Sequence, residues 1–73
     1  MSFMEDPIAQ AERLVREAEE RVAQGRALVE RLERDGHPDL AHTARELLAI
    51  HETRLALRRE HLRIERKWHG FDP

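Results

Sequence analysis

Between Ile8 and Leu32 the apolar residues recur in steps of three and four: Ile8, Ala11, Val15, Ala18, Val22, Gly25, Val29 and Leu32. Only a helix puts side chains spaced this way along one side. One position of the repeat is always β-branched (Ile8, Val15, Val22, Val29). The other is small until the end (Ala11, Ala18, Gly25, then Leu32). A seam of alternating large and small side chains lets a second helix approach closely. Gly25 sharpens the point, because an internal glycine costs about 1 kcal/mol against alanine. Its place on the seam gives it a reason, close packing against a neighbour, with a local kink as the alternative.

Asp6-Pro7 marks the start of this helix. An aspartate caps free backbone N–H groups, and proline fits the first helical position because its missing N–H is not needed there. The helix is expected over about residues 7–35, which at 1.5 Å per residue is roughly 43 Å. Asp35-Gly36-His37-Pro38-Asp39 is the one strong break. Gly36 suits the left-handed conformation that ends a helix. Pro38 biases His37 away from helical angles and can open the next helix, where Asp39 complements the dipole. With a junction of only residues 36–38, the second helix, about 39–69, must fold back antiparallel. A single unbroken helix would have to absorb both glycine and proline. The expectation is therefore one all-α helical hairpin spanning residues 1–73.

The second helix carries two apolar stripes, each with a seven-residue repeat. One is Ala41, Leu48, Leu55 and Leu62. The other is Thr43, Ile50, Leu57 and Ile64. Leu40 and Leu47 lie between them near the helix start. Trp68, following Ile64, is expected to plug the open end of the hairpin, with a surface anchor as the alternative. On the first helix, Leu14 and Leu28 widen the apolar face beside the seam. A hairpin needs one stripe per helix, and this chain has more. The surplus predicts a homodimer in which two hairpins form a four-helix bundle. The bundle's free face, or Phe3 and Phe71 at its ends, is expected to dock onto another protein; a monomer with the second stripe as an open docking site, and a higher or mixed assembly, are the alternatives. The packing and dimer residues so predicted are the eight of the first seam with Leu47, Leu48, Ile50, Leu55, Leu57, Leu62, Ile64 and Trp68.

Chemistry is harder to find. The 73 residues include no cysteine, so disulfides and thiolate metal sites are excluded. His61, Glu65 and His69 are spaced by four and could meet on one face, but no fourth ligand accompanies them. His51-Glu52-Thr53-Arg54-Leu55 lacks the second histidine of the helical zinc-protease pattern. No nucleophile is paired with a base. No catalytic residue, metal, cofactor or small-molecule substrate is therefore predicted, and an enzyme is not expected. The net charge of -2 gives no overall pull toward nucleic acid. Arg54, Arg58, Arg59, Arg63, Arg66 and Lys67 make the end of the second helix basic, so a nucleic-acid-associated regulator is the alternative function. Interspersed glutamates and the lack of an aromatic platform count against it. Glu12 with Arg16, Glu17 with Arg21, and Glu30 with Arg34 are expected intrahelical ion pairs. No apolar run is long enough for a membrane helix. Met1 to Ile8 is not a basic segment followed by an apolar one, which makes the cytoplasm the default.

Ala11-Glu12-Arg13, Glu20-Arg21-Val22-Ala23, the run Val29 to His37, and Glu46-Leu47-Leu48 with His51 resemble a family of short uncharacterised alphaproteobacterial proteins. The likeness spans roughly residues 10 to 65, and the Asp-Gly-His junction is its most specific element. It implies a helical hairpin in a bacterial cytosol and carries no catalytic or binding residue with it.

Overall fold

The computed structural model describes residues 6–69. Phe3 and Phe71, suggested above as docking ends, lie outside them. Two helices form an antiparallel hairpin: α1, Pro7–Arg34, and α2, Pro38–Trp68. The Asp6 carboxylate accepts a hydrogen bond from the Ile8 N–H at 3.1 Å, and Pro7 opens α1. At the other end the Gly36 N–H donates to the Glu33 carbonyl, and the His37 N–H to the Leu32 carbonyl. These are the two hydrogen bonds of a Schellman motif, and they need a left-handed residue at Gly36. Its φ is +75°. Pro38 then starts α2, with Asp39 in the first turn.

The two helices meet along the stripes that share the tightest spacing. From α1, Ile8, Ala11, Ala18, Val22 and Val29 are buried, while Val15, Gly25 and Leu32 are half-buried. From α2, Ala41, Ala44 and Leu55 are buried, and Leu48 and Leu62 half-buried. Ala18, Val22 and Leu55 form the centre of the core, with Val15 and Leu48 packed against it. Gly25 works by close approach. A Cβ added there would lie 3.1 Å from Leu48 Cδ1 and 3.9 Å from the Leu48 Cα.

This core is thin. Half of its buried residues are alanines, and no large side chain among the described residues is fully buried. The molecule is 13 Å through its shortest axis, a single layer of helices. Both faces of that layer meet solvent, so each helix shields only one stripe.

Candidate functional site: the open face of the hairpin

The two flanks of the helix–helix seam differ. On one flank, Glu12, Glu19, Arg26 and Glu33 of α1 step by seven residues. On α2, Arg66, Arg59, Glu52 and Arg45 step back by seven. They meet rung by rung: Glu12–Arg66 at 3.4 Å, Glu19–Arg59 at 3.2 Å, Arg26–Glu52 at 3.3 Å and Glu33–Arg45 at 3.6 Å. The ladder sets the alignment of the helices and covers that flank with charge. It also replaces one expected intrahelical pair, since Glu12 reaches Arg66 rather than Arg16; within α1, Glu17 pairs with Arg13 at 2.7 Å rather than with Arg21. A glutamate beside a seam has a facing helix within reach, and Glu12 takes it. The signal was present in the sequence as two matched seven-residue series of opposite charge.

The other flank is open, with Glu17, Arg21, Arg54 and Arg58 around Leu14 and more apolar side chains nearer the turn. Leu14 is half-buried there, while Leu28, Leu40 and Leu47 are exposed. Gly25, Leu28, Ala44, Leu47 and His51 line a groove that crosses from α1 to α2. The Nδ1 atom of His51 is buried in it without a hydrogen-bond partner among the described residues.

From this flank the open surface continues over the back of α2. Leu40, Thr43, Leu47, Ile50, Arg54, Leu57, His61, Ile64 and Trp68 alternate by three and four along the whole helix. Leu40 is 57% exposed, Leu57 65% and Trp68 81%; Leu47, Ile50 and Ile64 are also exposed. The first stripe of α2, with Leu48, Leu55 and Leu62, thus faces α1, and the second faces outward. Trp68 does not plug the hairpin end. It stands at the spacing of Leu40 and Leu47, four residues after Ile64, and so belongs to the outward stripe. Two depressions indent this surface, one lined by Ala49, Ile50, Thr53, Arg54 and Leu57, the other by Arg63, Ile64, Lys67 and Trp68.

Several polar groups around it have structural partners. His61 and His69 each meet Glu65, at 3.1 and 3.2 Å, so the three residues do come together. Among the described residues no group of three or more His, Cys, Asp or Glu is placed to hold a metal ion. Arg59 and Arg66 are engaged by α1, and Arg63 by Glu60. The hydrogen bond from Arg63 holds the Glu60 carboxyl below its ordinary range, and Glu60 stays ionised beside the stripe. No helix among the described residues is long and apolar enough to cross a membrane.

No known family model matches the chain, and no curated protein or solved structure shows significant similarity to it.

Proposed function

We propose that this protein is a non-catalytic, homo-oligomeric scaffold or interaction module whose working surface is the outward stripe of α2. The observation that carries the reading is the exposure of Leu40, Leu47, Ile50, Leu57, Ile64 and Trp68 along one heptad-spaced line. Scattered exposed apolar residues are ordinary, but a continuous exposed stripe marks an interaction surface. A stripe at this spacing fits another helix of similar length. The core between α1 and α2 is small, so a hairpin of this size gains much of its stability from such a partner. Two hairpins joined by these stripes would make a four-helix bundle. The bacterial cytoplasm, as its setting, rests on the resemblance noted in the sequence.

The basic end of α2 supports nucleic-acid binding less well, because Arg59, Arg63 and Arg66 are already paired with glutamates. No catalytic step is assigned to the chain.

The test is a charge placed in the stripe. Leu57→Glu should convert the assembly to a monomer by light scattering, with loss of helical signal at low concentration. Ala56→Glu, one residue along on another side of α2, should leave the mass unchanged. Equal mass for both variants and the parent protein would remove the stripe from the assembly.

A further inference from the structure

The exposed stripe leaves open which way its occupant runs, and the charges of α2 decide it. Apart from Arg45, Glu52, Arg59 and Arg66, which pair with α1, its first half carries Asp39 and Glu46. Its second half carries Arg54, Arg58, Arg63 and Lys67 against Glu60 and Glu65. A parallel copy would set the basic halves side by side. It would also stack His61 on the partner's His61 within the stripe itself, which the antiparallel copy avoids. An antiparallel copy sets each acidic half against a basic one and opposes the helix dipoles.

The geometry points to a second copy of this chain docked with α2 antiparallel to the partner's α2, Glu46 pairing with the partner's Lys67. This rests on the reading of the stripe as a self-association surface and adds its direction and alignment. Glu46, Glu60 and Lys67 are exposed and lie beside the stripe on the side away from α1. They are therefore placed to meet the same flank of a partner. When Leu47 meets the partner's Ile64, and Ile50 the partner's His61, the stripes interdigitate along most of their length. That alignment brings Glu46 beside the partner's Lys67, twice by symmetry. It sets Thr53 opposite the partner's Glu60, so the adjoining Arg54 gains a carboxylate. Sliding the copies by one heptad, with Leu47 against the partner's Leu57, would instead place Glu46 against the partner's Glu60. An isologous two-fold interface of this kind needs no other chain.

The chain has no cysteine, so His42→Cys gives a single site for a spin label near the start of α2; His42 itself sits 3.2 Å from Glu46, so the charge reversals below are made in chains that keep it. In the antiparallel dimer the two labels sit about 40 Å apart, from the rise of 1.5 Å per residue. A parallel dimer brings them under about 20 Å, close to the helix spacing. Lys67→Glu and Glu46→Lys should each raise the dimer dissociation constant about fivefold to tenfold, and the two together should restore it. A dimer with the short label distance would overturn the antiparallel direction and leave self-association standing. A double reversal no tighter than the singles would overturn the alignment. A monomeric mass with no coupling between labels would overturn both this inference and the reading beneath it.

Discussion

Three residues decide how closely the hairpin closes. Gly25 faces Leu48 at a distance where a methyl group fits only if the Leu48 side chain shifts by a few tenths of an ångström. Gly25→Ala gains helix propensity of about 1 kcal/mol against that adjustment and should change stability by under about 1 kcal/mol. Gly25→Leu has no such escape and should cost about 1–3 kcal/mol by overpacking, read as a fall in the denaturation midpoint. At Gly36, where φ is +75°, an alanine Cβ meets no neighbour, so the penalty is purely conformational. Gly36→Ala should cost about 1–2 kcal/mol in the same melt. His51 is the opposite case. Its Nδ1 is buried without a partner among the described residues, and such an atom costs about 1–3 kcal/mol. His51→Leu should therefore stabilise the protein, and a lower midpoint would show that the imidazole is satisfied in solution.

At the level of the helices, the ladder and the outward stripe have separate jobs. The ladder pairs are exposed, so each contributes only about 0.2–1 kcal/mol. Reversing Arg26 to Glu should cost up to about 1 kcal/mol, and adding Glu52→Arg should recover it. Neither change should alter the oligomeric mass, because the ladder lies on the flank away from the open groove. Much of this architecture was legible in the sequence. The Asp6-Pro7 start, the Gly36-His37-Pro38 turn and the seam from Ile8 to Leu32 each obey a local rule that the hairpin leaves in force. The two stripes of α2 were legible as well, but their assignment was not. Ala41-Leu48-Leu55-Leu62 and Thr43-Ile50-Leu57-Ile64 have equal periods, and periodicity alone does not say which meets α1. Ala44, buried against α1, breaks the tie: with Ala41 and Leu48 it makes a three-and-four seam whose small residues suit close approach. Trp68 lies close to Ile64 in sequence, but its direction around the helix puts it on the outward stripe. The ladder is written in the sequence as charges matched between the helices, which the i,i+4 pairs within each helix do not reveal.

The whole molecule is a single layer whose own core is half alanine, next to an exposed surface of larger side chains. Leu40, Leu47, Ile50, Leu57, Ile64 and Trp68 are all bulkier than the alanines that α2 buries against α1. Burial of large aliphatic and aromatic side chains contributes about 1.5–3 kcal/mol each, so the outer stripe holds hydrophobic free energy comparable to that of Ile8, Val22, Val29 and Leu55 in the core. In the proposed dimer it is realised on association, so folding would be coupled to assembly. The direct test is the solution mass, by sedimentation equilibrium, across a hundredfold range of concentration, with helical content followed in the same samples. The account predicts a species of twice the 8.6 kDa chain mass, with mass and helicity falling together on dilution. A fully helical monomer across the whole range would contradict it, and would leave the outer stripe of α2 as the docking surface for a different protein.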